Sequence, residues 1–217
     1  LLYLQPLPKS KKLIGGAAIS VKQINDETMH MLELAYENVN QAFGQLLQFS
    51  DKIDEQIYKR EDTVNYLDKV ISEYISTALA TPNLNVNISQ ALSSYYLMLV
   101  DIERISDYAV NMNHQATKRL QGDMTISEIE IVEHMKKLCV DMKNDLDDVE
   151  EAERKDDVID SLVSSWREAQ IQALKQQKCS SEVSMMLSRI FTDFERINDH
   201  ALNVSQEFDK INIEIPE

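Results

Sequence analysis

Apolar side chains recur every three or four positions through most of this chain, which is the spacing of one face of an α-helix. The last such segment has the clearest pattern, because its steps alternate between four and three from Val183 to Phe208. Its apolar positions are Val183, Leu187, Ile190, Phe194, Ile197, Ala201, Val204 and Phe208. The pattern predicts a long amphipathic helix with a continuous packing seam.

Breaks in the same periodicity divide the chain into six predicted helices. They cover residues 19–49, 51–80, 86–121, 125–144, 146–178 and 181–209. Thr125 followed three residues later by Glu128 has the spacing of a capping box at the start of the fourth helix. Ser50-Asp51 supplies N-cap candidates for the second helix, and Cys179-Ser180-Ser181 does the same for the sixth. With only 4 glycines and 4 prolines to form turns, the chain is predicted to be all-α.

The third and sixth helices are copies of each other. Every apolar position of the sixth helix seam has an apolar counterpart 92 residues earlier. The segments DIERISDYAVN, from Asp101, and DFERINDHALN, from Asp193, agree at seven of eleven positions. The preceding helices match as well, because EDTVNYL from Glu61 aligns with DDVIDSL from Asp156 at an offset of 95. An internal repeat of this kind predicts two tandem three-helix bundles of long antiparallel helices. The predicted divisions are a linker at 1–18, a first bundle at 19–121 and a second bundle at 122–217.

The charge of the chain limits its partners. It has 22 Lys and Arg against 37 Asp and Glu, a formal charge of −15, which argues against binding to a phosphate backbone. Residues 1–121 carry −3 of this charge and residues 122–217 carry −12. Lys9, Lys11, Lys12 and Lys22 all precede the first acid, as in a membrane-proximal segment on the cytoplasmic side. No apolar run approaches the length of a membrane span.

Carboxylates four residues apart follow one face of each repeated helix. These pairs are Glu103 with Asp107 and Glu195 with Asp199, and the helices before them carry Glu61 with Asn65 and Asp156 with Asp160. In an antiparallel hairpin, residues equidistant from the turn lie at the same height. The midpoint between the first two pairs falls within the predicted turn from Pro82 to Asn85, and the midpoint between the other two falls beside Cys179-Ser180. The pairs are therefore expected to face each other across neighbouring helices.

Two interpretations of these acidic stripes stay open. Clustered carboxylates raise one another's pKa unless a cation compensates, and a ligand set of oxygens alone suits Mg, Ca or Mn and resembles the carboxylate side of iron sites. Alternatively, Arg104 and Arg196 neutralise the acids by pairing with side chains three residues away, which would leave solvated salt-bridged faces. The aspartates available for that pairing are Asp101, Asp107, Asp193 and Asp199.

The strings ERISDYAVN and ERINDHALN resemble the signature of the phosphate-uptake regulator family PhoU. The resemblance extends from about residue 20 to 210 and implies two three-helix bundles that bind iron or zinc on their surface through the acidic motifs. The metal ligands that it implies are Glu61, Glu103 and Asp107 in the first repeat and Asp156, Asp160, Glu195 and Asp199 in the second. Asn65 stands where the first repeat would have its second acid, so the second site is expected to be the stronger.

The opening segment, from LYLQPLPKSKK onward, resembles the link that follows the last membrane helix of bacterial sodium/phosphate cotransporters. This resemblance implies a non-catalytic regulatory domain at the cytoplasmic face of the inner membrane, whose partner is the transmembrane portion of the same polypeptide. A phosphate-signalling protein and a second copy of the chain are further candidate partners.

Two other functions are weighed against this one. The first is a free-standing PhoU-type adaptor that regulates a phosphate importer and a histidine kinase. The second is a carboxylate-bridged metalloenzyme, but only Glu27 and His30 have the Glu-x-x-His spacing of a di-iron oxidase, and no nucleophile with a base is evident. The chain is therefore predicted not to be an enzyme.

Overall fold

The computed structural model describes residues 17–211 of the chain, which form six α-helices and one short 3₁₀ helix. The α-helices are α1 (Ala17–Leu47), α2 (Asp51–Leu79), α3 (Val86–Ala116), α4 (Ile126–Asn144), α5 (Val149–Lys175) and α6 (Ser181–Asp209). The 3₁₀ helix (Leu120–Asp123) lies between α3 and α4. This part of the chain contains no strand, so the predicted all-α class is confirmed. Most of the predicted linker at 1–18 lies outside the described residues.

Helices α3 and α5 end a few residues earlier than the sequence predicts, at Ala116 and Lys175. Shortly after each end, a residue with positive φ interrupts the chain: Arg119 at 53° and Gln177 at 54°. A left-handed residue of this kind cannot continue a right-handed helix, so each helix stops. Arg119 is fixed in place by an ion pair with Asp51, in which its Nη2 lies 2.8 Å from Oδ1.

Two of the three predicted helix caps are present. Thr125 and Glu128 form the capping box, with Thr125 N donating to Glu128 Oε2 at 2.7 Å and Glu128 N donating to Thr125 Oγ1 at 3.3 Å. Ser180 Oγ accepts from the backbone N of Val183. At the third, Ser50 occupies the predicted N-cap position of α2 in an extended conformation, but its side chain makes no capping hydrogen bond. Instead its backbone N–H and C=O both bond to the side chain of Gln45, which connects α1 to the start of α2.

The two predicted bundles pack against each other over a wide interface. Helices α1, α2 and α3 pack against one another, and in the second predicted bundle α5 packs against α6. Between the predicted bundles, α3 packs closely against α6, and α4 contacts α1 more extensively than it contacts either helix of its own predicted bundle. One continuous hydrophobic core therefore runs through both bundles. Of the described helices, none combines the length and the apolar character that a bilayer crossing requires.

The repeated seams form the centre of this core. Every seam position of α3 and α6 is buried, except that Phe208 near the end of α6 is only partly covered. Helix α3 buries a wider face than a simple seam, including Leu92 and Leu99, because it contacts its own bundle on one side and α6 on the other. This packing leaves the acidic stripes of both repeats on the outer sides of the hairpins.

Candidate functional site

Helices α5 and α6 bring four carboxylates of the second repeat together. We call them the C-terminal acidic cluster: Asp156 and Asp160 on α5, with Glu195 and Asp199 on α6. Members four residues apart lie on the same face of their helix. The charge of Asp199 raises the pKa of both aspartates on α5, so the two helices place their acids close to one another, as the hairpin geometry predicts.

The acids of this cluster oppose one another's ionisation. Removal from water is the largest cause of the high pKa of Asp156, about 6, and the charges of Asp160 and Asp199 raise it further. The pKa of Asp160 is also raised, first by removal from water and then by Asp199 and Glu195. At neutral pH the cluster therefore holds repelling charges, and a cation that approaches it lowers its energy.

Two arginines supply part of that compensation. Arg167 Nη2 lies 2.7 Å from Glu195 Oε2, and Arg196 Nη1 lies 3.3 Å from Asp199 Oδ2. Arg196 is the residue that the salt-bridge interpretation proposes, whereas Arg167 was missed. Arg167 could have been predicted from the sequence, because it follows Asp160 by seven residues and so lies on the same face of α5.

The first repeat carries an N-terminal acidic cluster, formed by Glu61 on α2 with Glu103 and Asp107 on α3. Burial raises the pKa of Glu103, Asp107 raises it further, and Arg104 lowers it. Arg104 lies 3.6 Å from Glu103 and 3.1 Å from Asp107, so it pairs with both. Asp68 also raises the pKa of Glu103. Asp68 is not among the predicted ligands, although it lies two turns after Glu61 on the same helix.

Glu61 differs from the other candidate ligands because it is buried, with 8% of its surface exposed. Its Oε2 accepts a short hydrogen bond from Ser106 Oγ, and that hydroxyl accepts one from Asn38 Nδ2 at 3.1 Å. Arg60 donates to Asn38 Oδ1 at 2.8 Å and completes the network. Burial raises the pKa of Glu61, and the Ser106 bond opposes the rise. Glu61 thus belongs to a polar network that connects three helices.

No equivalent network holds the second cluster. Asn198 stands where the first repeat has Ser106, and its Nδ2 donates to the backbone oxygen of Phe194 at 2.7 Å. Its Nδ2 also donates to Cys139 Sγ on α4 at 4.0 Å. Neither of these bonds reaches Asp156, the counterpart of Glu61. The two repeats present different acids to solvent: the first keeps one carboxylate inside its bundle, and the second leaves its four at the surface.

The predicted metal ligands do not form a ready-made metal site. Within residues 17–211, there is no group of three or more His, Cys, Asp or Glu side chains arranged to hold a metal ion. The donors are carboxylate oxygens, which suit hard cations, but in the second repeat two of the four are ion-paired with Arg167 and Arg196. The structure brings the predicted ligands into the same neighbourhood, and their role in metal binding stays a prediction.

Other residues of the repeated motif connect the two bundles. Asp101 on α3 accepts hydrogen bonds from His200 Nδ1 at 2.7 Å and from Asn203 Nδ2 at 3.0 Å, both on α6. The His200 ring also stacks on Tyr108, with 5.8 Å between centroids. Asp101 is therefore part of the contact between the bundles. It does not form the ion pair with Arg104 that the salt-bridge interpretation considers. On α6, burial raises the pKa of Asp193 to about 6, and the charge of Arg189 opposes that rise.

Comparison with known proteins places these features in a family. The model of the PhoU domain family matches residues 28–116 and again residues 126–208. A curated relative, the phosphate-specific transport system accessory protein PhoU homolog 1 of Thermotoga maritima, is 24% identical over 196 residues. That match covers 85% of this chain and 83% of the relative.

Two solved structures share the fold. The crystal structure of PhoU from Pseudomonas aeruginosa has a TM-score of 0.77 at 20% identity, covering 87% of this chain and 95% of that one. The phosphate transport system regulatory protein PhoU from Streptococcus pneumoniae has a TM-score of 0.79 at 18% identity, covering 93% and 99%. At these identities the likeness establishes the six-helix fold.

Proposed function

The chain belongs to the PhoU domain family, and on that premise we propose that it is a non-catalytic regulatory domain of phosphate transport. The observation that carries the proposal is that the family model matches both halves of the chain, each of which contains one copy of the acidic motif. More specifically, we propose that it serves a bacterial sodium/phosphate cotransporter from the cytoplasmic face of the inner membrane. The resemblance of the opening segment supports this context, and residues 1–16 of that segment lie outside the described residues.

Deletion of residues 20–217 from the full transporter tests the cotransporter proposal. Phosphate uptake is measured in cells grown at low and at high phosphate, with the amount of transporter in the membrane measured by immunoblot. We expect the deletion to change the rate of uptake or its dependence on phosphate. Uptake that is unchanged at every phosphate level, with equal amounts of transporter, would contradict the proposal.

The alternative is a free-standing adaptor that acts on a phosphate importer and a histidine kinase. The Thermotoga maritima relative supports this alternative, because it is named as an accessory protein and the match spans most of its length. The gene sequence upstream of Leu1 distinguishes the two. Apolar spans there are expected for the cotransporter domain, and their absence from the full reading frame favours the adaptor.

We further propose that the C-terminal acidic cluster binds a cation, iron or zinc by family resemblance, or Mg, Mn or Ca by its oxygen donors. In the structure these side chains do not form a ready-made ligand set, so Asp156, Asp160, Glu195 and Asp199 would have to turn toward the ion. The ion would then supply positive charge in place of Arg167 and Arg196. The raised pKa values of Asp156 and Asp160 support the proposal, because neighbouring acids, Asp199 among them, add to the effect of burial at both residues. The N-terminal acidic cluster is expected to bind more weakly, since Glu61 is engaged with Ser106.

Elemental analysis of protein purified without chelator tests cation binding. We expect bound metal in the natural protein and its loss when Glu195→Ala and Asp199→Ala are combined. Asp147→Ala is the control, since Asp147 is an exposed acid of the turn before α5. Negligible metal in the natural protein, or equal metal in the double variant, would mean that the clusters are salt-bridged faces.

A further inference from the structure

The outer crevice between α5 and α6 changes character along its length. On each helix, residues three or four apart follow one another along the crevice. Near the α5–α6 turn the crevice is lined by Ile171 and Leu174 of α5 and by Met185 of α6, with Ser181 beside them. It finishes at the C-terminal acidic cluster.

The apolar end is an open groove of about 450 Å³. Ile171, Leu174 and Met185 line it and are 53%, 41% and 64% exposed, and the buried Phe191 lies at its base. Three large apolar side chains exposed side by side are more than the single exposed residues expected on any surface.

The first repeat shows that the fold does not require two of these three apolar residues, whereas the third, Leu174, aligns with the exposed Leu79. Ile171 aligns with Ser76 at the offset of 95, and Met185 aligns with Ser93 at the offset of 92. The equivalent crevice between α2 and α3 therefore carries serines at these two positions. Since the same helix pair folds with serine there, exposed isoleucine and methionine in the second repeat need an explanation other than folding.

The acidic end is within reach of a ligand that occupies the groove. Met185 and Glu195 are ten residues apart on α6, which corresponds to about 15 Å along a helix. Arg167, Ser188 and Thr192 lie between the two ends, and Arg167 bonds to both of the others and to Glu195. A partner that follows this crevice would pass from an apolar to a negatively charged environment within two to three helical turns.

We propose that the α5–α6 crevice binds an amphipathic helical segment of a partner protein. Its apolar side chains enter the groove, and its Lys or Arg side chains, two to three turns further along, meet the C-terminal acidic cluster. The charge of −12 on residues 122–217 opposes an anionic lipid surface or a nucleic acid at this position and favours a basic segment. The inference does not rest on the proposed function, because the crevice belongs to this chain whichever transporter it serves.

Binding of synthetic helical peptides to the 217-residue chain tests this inference. The probe peptide has leucines one turn apart at one end and several lysines two to three turns away. One matched peptide replaces the lysines with glutamates, and another replaces the leucines with serines. Fluorescence anisotropy is measured in the presence of chelator, so that metal does not compete for the carboxylates. We expect the probe to bind at least tenfold more tightly than either matched peptide.

Variants of the chain locate the binding surface. Ile171→Ser combined with Met185→Ser gives the groove the residues of the first repeat, and Asp156→Asn combined with Asp160→Asn removes charge from the acidic end. We expect each pair to weaken binding about tenfold or more. Val158→Ser changes an apolar residue of α5 that is 50% exposed and outside the crevice, and should leave binding within about twofold of the natural chain. Circular dichroism verifies that all variants are folded.

The inference is overturned if the groove variant binds the probe as tightly as the natural chain, since the attraction would then be one of charge alone. It is also overturned if the variant with fewer acids binds equally well, or if the glutamate peptide binds like the probe. Failure of the transporter experiment would leave these outcomes unaffected.

Discussion

Replacement of Asp156 by asparagine should stabilise the protein above pH 6. The pKa of this carboxyl rises from its ordinary value of 3.8 to about 6 in the folded chain, through removal from water and through the charges of Asp160 and Asp199. The folded state therefore keeps the proton to a higher pH than the unfolded state does. As the pH rises from about 4 through 6, this group lowers the free energy of unfolding. Asparagine does not titrate, so Asp156→Asn avoids that decrease in the free energy of unfolding.

The size of the effect follows from the pKa. One pKa unit corresponds to about 1.4 kcal/mol, so the full change would amount to about 3 kcal/mol. Asp156 is only partly buried, and solvent screening reduces an interaction at such a position. We therefore expect Asp156→Asn to raise the free energy of unfolding by about 1 kcal/mol at pH 7.5 and by nearly nothing at pH 4.

Urea unfolding followed by circular dichroism, with chelator present, measures this difference at a series of pH values. Asp147→Asn is the control, because it removes the same formal charge from the exposed turn before α5. A second series contains a divalent cation in place of chelator. If the cluster binds the cation, the natural chain should gain stability as the cation concentration rises, and Asp156→Asn should gain less.

The reasoning is refuted if Asp156→Asn and Asp147→Asn have the same stability at pH 7.5. It is also refuted if the difference between them does not shrink as the pH falls toward 4, since a contact unrelated to ionisation would then be responsible. Equal stabilisation of both variants by the cation would contradict only the proposed cation site and would leave the pKa argument intact.

Three further predictions concern stability and use the same urea assay. Glu128→Ala removes the capping box of α4 and the acceptor for Gln170 Nε2, which donates to Glu128 Oε1 at 2.6 Å, and should cost about 2–3 kcal/mol; a cost below 0.5 kcal/mol would contradict this. Phe194→Ala opens a cavity where α6 meets α1 and α5, and should cost about 3–5 kcal/mol. A double-mutant cycle with Asp101→Ala and His200→Ala should give a coupling of about 1 kcal/mol at pH 6, and no coupling would mean that their hydrogen bond adds nothing to the contact between the bundles.

The fold could be predicted largely from the chain because its signals are local or repeated. The alternating seam of α6 is set by helical periodicity, and the 92-residue repeat carries the same prediction to α3. The capping box at Thr125 depends on four consecutive residues. At Ser50 the N-cap position was predictable, but its lack of a capping side-chain bond and the bonds of its backbone to Gln45 of the preceding helix were not. The continuous core could not be predicted either, because periodicity shows that a helix face is apolar but does not show which other helix covers it.

The acidic sites were predictable only in part. Spacing and hairpin symmetry are sufficient to bring Asp156 and Asp160 close to Asp199, because these depend on helical rise and turn position. The fate of each carboxylate depends on its contacts across helices. Glu61 is drawn into a network because Ser106 and Asn38 lie within reach, whereas its counterpart Asp156 has Asn198 nearby, which bonds elsewhere. The sequence shows that the second repeat has Asn198 where the first has Ser106. Which hydrogen bonds each of them makes depends on the contacts between helices, which the sequence does not show.

The duplicated motif itself combines two roles. Its outward acids form the two clusters, whereas Asp101, the first residue of one copy, accepts a hydrogen bond from Asn203, the last residue of the other. That bond joins α3 to α6, so these two residues act in the contact between the repeats. They therefore do not argue for metal binding, and that case depends on the central acids alone.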